Sequence, residues 1–389
     1  MNLAAIQEEL QKQQLDGWLF FDHHQRDPLA YRVLGFQPAS HVTRRWYYWI
    51  PSSGQPRGLV HRIESGRLDS LPGDKIRYSS WSEQTGGLRS LLGGARRVAM
   101  QYSPLCAIPY VSMVDAGTVE LVRSLGVEVL SSAELIQHFE ARWNAAALES
   151  HLEAGRRVDR VRAQAFEMVR EITRDGRAVQ EFTVAQFVRD GFAKAGLFAE
   201  DGPIVGVNAN AANPHYEPTA AITSEIRSGD LVLLDMWAKL SRPGAVYYDI
   251  TWTGFCGDRP SDHMREVYAV VSGARDAAIA RVKDAVAARQ ELHGYEVDDA
   301  ARCYISSRGY GDAFVHRTGH SIGEDVHGNG ANMDNLETHD ERRIVPWTCF
   351  SIEPGVYLKD FGIRSEVNMF VGEKDARVTG EIQQELLIL

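Results

Sequence analysis

The sequence predicts an α+β protein in two parts, a smaller N-terminal α/β domain over residues 1–142 and a larger domain over residues 143–389. Three observations carry this. Short strand-like runs alternate with helical stretches through the first third of the chain. The character changes around Phe139 to Leu152, where long helical periodicity sets in. From Leu231 onward apolar strand runs return, interrupted by one long helical stretch. A chain of 389 residues is long enough to bury two cores.

The elements follow in order. Ile6 to Gln14 carries apolar residues at helical spacing, and Gly17-Trp18-Leu19-Phe20-Phe21 reads as a strand. Arg45 to Ile50 is a second strand, stopped by Pro51, and its run Trp46-Tyr47-Tyr48-Trp49 reads as sheet core. Gly58 to His61, Arg97 to Met100 and Val127 to Leu130 are further strands, with a helix over Met113 to Leu125. Beyond the boundary, Asn144 to Asp175 and Val179 to Ala195 read as helices, as do Ser261 to Ala287 and Glu296 to Arg308.

Four acids and a histidine stand out against this frame. Asp235 ends the apolar run Leu231-Val232-Leu233-Leu234, and Asp249 opens Asp249-Ile250-Thr251-Trp252-Thr253, with the turn-rich Ser241-Arg242-Pro243-Gly244 between them. A turn centred near Arg242 places the two acids opposite each other across a hairpin, with Cβ atoms about 5 Å apart. Glu353 and Glu366 repeat the arrangement around a turn near Lys359-Asp360-Phe361-Gly362. His316 and His320 lie four residues apart, which on a strand puts both on one face. Four carboxylates in one site repel unless some stay protonated or cations join them. An oxygen-rich set with one imidazole suits hard or borderline divalent ions, and a pair of ions bridged by acids acidifies a water for hydrolysis.

Composition narrows the class. A net charge of -10 and the lack of a long Lys/Arg run argue against a nucleic-acid partner. No apolar run approaches the length of a membrane span, and the first ten residues carry acids where an export signal needs an unbroken apolar stretch. Cys106, Cys256, Cys303 and Cys349 lack CxxC spacing and read as reduced, mostly buried thiols of a cytoplasmic protein.

The larger domain resembles the M24 "pita-bread" metallopeptidases: Xaa-Pro dipeptidases (prolidases), aminopeptidase P and, more distantly, methionine aminopeptidases. The residues that carry the resemblance are Asp235, Asp249-Ile250-Thr251, His316-Arg317-Thr318-Gly319-His320-Ser321-Ile322-Gly323 with His327 beyond, Ser351-Ile352-Glu353-Pro354-Gly355-Val356-Tyr357, and Gly362-Ile363-Arg364-Ser365-Glu366. The resemblance implies the pita-bread fold, with a creatinase-like N-terminal domain. It also implies two divalent ions, manganese first and cobalt, zinc or iron as options, held by Asp235, Asp249, His320, Glu353 and Glu366, with Asp249 and Glu366 bridging. Glu353 would shuttle the proton, His215 and His327 would contact the substrate amide and its oxyanion, and His316 would line the pocket for the residue after the cut. Arg364 and Tyr357 would support the ligands or the substrate. A homodimer acting on a small peptide follows from the same likeness. His23, His24, His41, His61 and His339 read as surface or packing residues.

Several departures fall near the site. The segment Met236 to Tyr248 is longer than usual, Trp252 stands where an arginine is usual, Trp347 follows Pro346 where glycine is common, and Val367-Asn368 replace more acidic residues. The long segment and Trp252 open two other readings, an ectoine-type amidine hydrolase and a dimethylsulfoniopropionate lyase. The same fold also occurs as a peptide-binding pseudoenzyme, which loss of ligands would mark.

Overall fold

The computed structural model describes residues 1–37 and 41–389. The chain forms two compact units, Met1–Glu140 and Ala141–Leu389.

The smaller unit runs α1 (Leu3–Lys12), β1 (Gly17–Asp22), α2 (Pro28–Leu34), β2 (Trp46–Pro51), β3 (Arg57–His61), β4 (Asp74–Tyr78), α3 (Trp81–Leu92), β5 (Arg97–Met100), α4 (Ala116–Arg123), β6 (Glu128–Ser131) and α5 (Ala133–Ile136). Six strands make one sheet in the order β4-β3-β2-β1-β5-β6, with β2 antiparallel to both neighbours and the other pairs parallel. Trp46, Tyr47, Tyr48 and Trp49 are all buried, so the aromatic run is the sheet core that the sequence suggests. Both faces of the sheet are covered, which is why β1 and β2 read as continuous apolar runs rather than alternating ones. The elements α2, β4, α3 and α5 have no counterpart in the sequence expectations.

The larger unit opens with α6 (Ala145–Arg174), β7 (Val179–Gln180), α7 (Glu181–Lys194), β8 (Leu197–Phe198), β9 (Ile204–Val207), β10 (Glu225–Ile226), β11 (Leu231–Leu240) and β12 (Tyr248–Phe255). There follow α8 (Asp262–Ala288), α9 (Gly294–Ser307), β13 (Ser321–Ile322), β14 (Thr348–Ile352), β15 (Gly355–Tyr357), β16 (Gly362–Arg364), β17 (Val367–Val371), β18 (Ala376–Thr379) and β19 (Leu387–Ile388). Asn144 and Ser261 start the two long helices by accepting from the backbone N–H three residues on, at 2.9 and 3.1 Å.

Two half-structures meet in this unit. In the first, α6 and α7 pack on the face of β11 and β12 that carries Val232, Leu234, Met236, Tyr248 and Ile250. In the second, α8 and α9 pack on β14 to β17 through Val271, Val297, Phe350, Ile363 and Met369. The seam runs along β12: Glu366 N–H donates to Thr251 O at 3.1 Å, Thr253 Oγ1 donates to Arg364 O at 2.9 Å, and Asp249 N–H donates to Asn368 Oδ1 at 3.0 Å. No helix among the described residues is long and apolar enough to cross a membrane. All four cysteines are free, but only Cys256 and Cys349 are buried; Cys106 and Cys303 are exposed, against the expectation of mostly buried thiols.

Candidate metal centre

The hairpin β11–β12 supplies the first acids, in a register two positions away from the expected one. Asp235 pairs with Thr251, and Trp237 pairs with Asp249. The carboxylates are therefore diagonal neighbours rather than opposite ones, with Cα atoms roughly 7–8 Å apart. The cause lies beyond the turn, where Ala245, Val246 and Tyr247 are buried instead of looping out. Val246 N–H donates to Ser150 Oγ at 3.2 Å and Tyr247 N–H to Gly323 O at 2.9 Å, so the second arm holds the extra length. A shift of two keeps side chains on the same face, and both acids still point to the seam.

Glu353 and Glu366 follow the expected geometry. Ile352 pairs with Val367 on one side of them and Gly355 with Arg364 on the other, in one continuous register that sets Glu353 opposite Glu366 where the ladder is interrupted. The turn closes with Leu358 N–H donating to Phe361 O at 2.9 Å.

His320 arrives differently. Only Ser321–Ile322 is strand, and His316 lies in irregular chain, so the two histidines do not share a strand face. The backbone before His320 is committed elsewhere: Thr318 N–H donates to Asp298 Oδ1 at 2.9 Å, and Glu353 N–H donates to Thr318 O at 2.7 Å. Gly319 lets this segment lie against β14, since a Cβ there would sit 1.9 Å from Ser351 O.

Asp249, His320 and Glu366 bring one ligand atom each to within 4.8 Å of one another, all three buried. His320 Nε2 is 3.4 Å from both Asp249 Oδ2 and Glu353 Oε1, so Glu353 joins from the histidine side. Asp235 is held by the guanidinium of Arg364 through Oδ2. Arg364 Nε also donates to Thr251 Oγ1 at 2.9 Å and lies 3.9 Å from Glu353 Oε2. The five expected ligands thus converge, three as a cation-sized set and two at its margin.

Two atoms test whether a cation fits. Asp249 Oδ1 and Glu366 Oε1 are buried and make no hydrogen bond among the described residues. A buried carboxylate oxygen without a partner costs free energy on the order of 1–3 kcal/mol, which a divalent ion at that point removes. Burial raises Asp249 well above the usual carboxylate range, with Glu353 adding; it does the same to Glu366, where Asp249 adds. Burial also lifts Asp235 to about 7 against the pull of Arg364. Glu353, which burial alone would push up, is held below its ordinary value by His320, Arg364 and His316. Without a cation this cluster retains protons, and a cation would displace them.

The remaining expected residues divide. His327 stacks edge-on to His320, ring centres 4.4 Å apart, and His320 together with burial lowers it to about 4. His316 Nδ1 donates to Arg317 O at 2.7 Å, so Nε2 accepts from Tyr357 OH at 2.6 Å; that hydroxyl in turn accepts from Arg364 Nη1 at 3.3 Å. His215 is exposed, its backbone N–H on Asn213 Oδ1 at 3.1 Å, and its ring is not drawn into the cluster. Trp252 turns away altogether: it lies on the α6 face of β12 with the Arg162 guanidinium 3.6 Å from its ring centre, so the lost arginine does not face the acids.

Sequence reasoning passed over three supports. Thr251 Oγ1 donates to Glu366 Oε2 at 2.7 Å, and Ser351 Oγ donates to Glu353 Oε1 at 3.1 Å while accepting from His320 N–H at 2.9 Å. Asn368 grips Asp249 by both backbone polar groups. Thr251 was visible as part of Asp249-Ile250-Thr251. Asn368 was visible only as a departure, and an amide offers there the donor that a carboxylate lacks.

Comparison with known proteins agrees with this geometry. The sequence pattern of metallopeptidase family M24 matches residues 149–373. The chain belongs to that family. It is 28% identical over 346 residues to the "Probable dipeptidase PepE" of Mycobacterium tuberculosis, an alignment covering 87% of this chain and 84% of that one. It is 36% identical over 164 residues to the Xaa-Pro dipeptidase of Lactobacillus helveticus, 42% and 40% of the two chains. The crystal structure of dipeptidase PepE from Mycobacterium ulcerans superposes with a TM-score of 0.72 at 24% identity, covering 99% of this chain and 96% of that one. A prolidase from Thermococcus sibiricus gives 0.66 at 23%, covering 100% and 98%. The M24 region has the pita-bread fold, and the chain is a hydrolase of the M24 family.

Proposed function

We propose that the chain hydrolyses Xaa-Pro bonds with two divalent cations, as a dipeptidase or an aminopeptidase P. The observation that carries this is the convergence of Asp249, His320 and Glu366 with two buried, unpartnered carboxylate oxygens. Asp235, Asp249, His320, Glu353 and Glu366 would hold the ions, and manganese would suit so oxygen-rich a set. Bound there, the ions supply Lewis-acid polarisation of the scissile carbonyl and acidify the attacking water.

The side chains do the rest. Glu353, the one carboxylate of the cluster with a lowered pKa, takes the proton of the attacking water and returns it to the departing nitrogen. A proline nitrogen in an amide bears no hydrogen, so it must be protonated to leave as an amine. His327, neutral at ordinary pH, offers an N–H to the developing oxyanion without adding charge. His215, exposed on its loop, approaches the substrate amide from outside. His316, Tyr357 and Arg364 form one hydrogen-bonded chain at the pocket for the residue after the cut. The working assembly would be a homodimer in the cytoplasm. The reading as an amidine hydrolase or lyase rested on the long segment and Trp252, and Trp252 lies on the far face of its strand.

The test is elemental analysis with an Xaa-Pro activity screen on the wild type, Asp249→Ala and Glu366→Ala. Two ions per wild-type chain, turnover of Xaa-Pro dipeptides and loss of both in the variants are expected. Full turnover by a metal-free variant would sink the proposal.

A further inference from the structure

A cavity of about 440 Å³ lies in the smaller unit at the ends of β1, β3 and β4, where Phe21, His23, Arg26, Arg44, Arg45, His61 and Trp81 are among its lining. That is the size of a small-molecule pocket, roughly 300–1,000 Å³. It lies outside the carboxyl ends of parallel strands, the usual ligand position in an open α/β sheet. None of its residues belongs to the metal centre.

Its charge is opposite to that of the chain. Against a net charge of -10, three arginines and two histidines line this cavity, and Asp115 is the one acid among the lining residues. Asp115 is committed: its two oxygens cap α4, accepting from Thr118 N–H and Thr118 Oγ1, both at 2.9 Å. Glu83 close by is spent on Ser79 and Ser80 N–H in a capping box. Among the described residues no carboxylate pairs with Arg26, Arg44 or Arg45; the guanidinium of Arg44 donates only to its neighbour Thr43. His23 lies below its ordinary pKa through burial first and His24 next, with Arg26 and Arg45 adding to the effect. Three unpaired guanidiniums beside one cavity repel one another, and an oxyanion relieves that.

The walls are preorganised. Buried Asp22 accepts from the N–H groups of Gln25, Arg26 and Asp27 at 2.7–3.2 Å and from Tyr31 OH at 2.6 Å, which fixes the loop bearing His23 and Arg26. Tyr78 OH donates to Arg45 O at 2.7 Å, and Glu64 accepts from Thr43 N–H and Oγ1, which pins the opposite wall. His61 bridges Ile63 N–H and Ser79 O at 3.1 and 3.2 Å. The first turn of α3, from Trp81, adds backbone N–H groups with no acceptor inside the helix.

We infer that this cavity binds a small oxyanion of charge two or more, bearing phosphate or carboxylate groups, on Arg26, Arg44 and Arg45. Trp81, 79% exposed at its rim, reports the binding. The test titrates the full chain at constant ionic strength with inorganic phosphate in one arm and citrate in the other, read by tryptophan fluorescence and by calorimetry. It is repeated on the Asp249→Ala chain, which removes the metal centre as a competing anion site. Saturable binding below about 10 mM is expected in both backgrounds. The Arg26→Ala/Arg44→Ala/Arg45→Ala chain should weaken it by at least about tenfold with unchanged circular dichroism. Trp81→Phe should remove the anion-dependent change in fluorescence, the other seven tryptophans still emitting, and leave the calorimetric signal. The arm that binds more tightly identifies the ligand's acidic group. Equal affinity in the triple variant, binding confined to the chain with an intact metal centre, or no saturation with either anion overturns the inference.

Discussion

Glu353 and Asp235 belong to the same centre, Asp235 buried and Glu353 half-buried, and their environments differ. Glu353 lies between His320 and Arg364, which favour its charged form; Asp235 shares Arg364 but lies deeper among like charges and is pushed to about 7. Two carboxylates separated in this way can take different roles, one to accept a proton and one to hold a cation. Glu353→Gln keeps the shape and the hydrogen bond from Ser351 but cannot accept the proton. The expected outcome is a fall of roughly 10²–10⁴ in kcat with KM little changed. Steady-state kinetics on an Xaa-Pro dipeptide would check it, and an unchanged kcat would move the proton shuttle to another residue. At this scale the acids were legible because each sits in a recognisable motif. That Arg364 supports a ligand was implied by the resemblance; that the ligand is Asp235 was not legible, since the link joins residues 129 positions apart.

The hairpin β11–β12 shows what a period of two can and cannot fix. Alternation puts Asp235, Asp249 and Thr251 on one face and Trp252 on the other, against the expectation that set Trp252 near the site, but the register depended on where Ala245 to Tyr247 were buried, which a turn motif does not reveal. Helix α3 escaped notice because Gly86 and Gly87 interrupt its periodicity. Gly87 is there for packing, as a Cβ at that position would lie 2.6 Å from a methyl of Leu59. Trp347, at the start of β14, is a departure whose consequence is now visible. Its φ is +67°, the left-handed region that favours glycine, while its ring packs on Phe370 and its Nε1 donates to Glu373 Oε1 at 3.0 Å. Packing and strain can be separated by two substitutions. Trp347→Ala loses the packing and keeps the strain, whereas Trp347→Gly loses both, so the glycine variant should be the more stable of the two by about 1–2 kcal/mol. Urea denaturation would measure it; an alanine variant as stable as the glycine one would remove the strain from this account.

Across the larger unit, His151 ties three distant segments together. From the second turn of α6 its Nδ1 donates to Tyr247 O at 2.6 Å, so its Nε2 accepts from Thr379 Oγ1 at 2.7 Å. Both ring nitrogens are used by the neutral form, and burial holds the pKa down at about 4. The folded value lies below the unfolded one, near 6.5, so this stabilisation is complete above pH 6.5 and is lost as the pH falls toward 4. The loss is on the order of 3 kcal/mol. The stability gap between wild type and His151→Gln should therefore shrink between pH 7 and pH 5 in urea unfolding curves. A gap that stays constant would mean the imidazole is not neutral in the fold. The change in periodicity near residue 140 falls where the chain divides into two compact units, because long helices begin there. The joining of two half-structures along β12 was not legible, because it rests on bonds such as that between Asp249 and Asn368, which no local pattern encodes.

That seam also bears on how the protein matures. The clustered donors come from β12, from the approach to β13 and from the link between β16 and β17, more than a hundred positions apart at the extremes. A chain emerging from synthesis cannot assemble them until Glu366 is made and the second half has docked on the first. Cation capture would then be a late event, following the slow long-range pairing rather than nucleating it. In refolding experiments, the return of metal affinity would report completion of the fold, lagging behind the recovery of helix signal from α6.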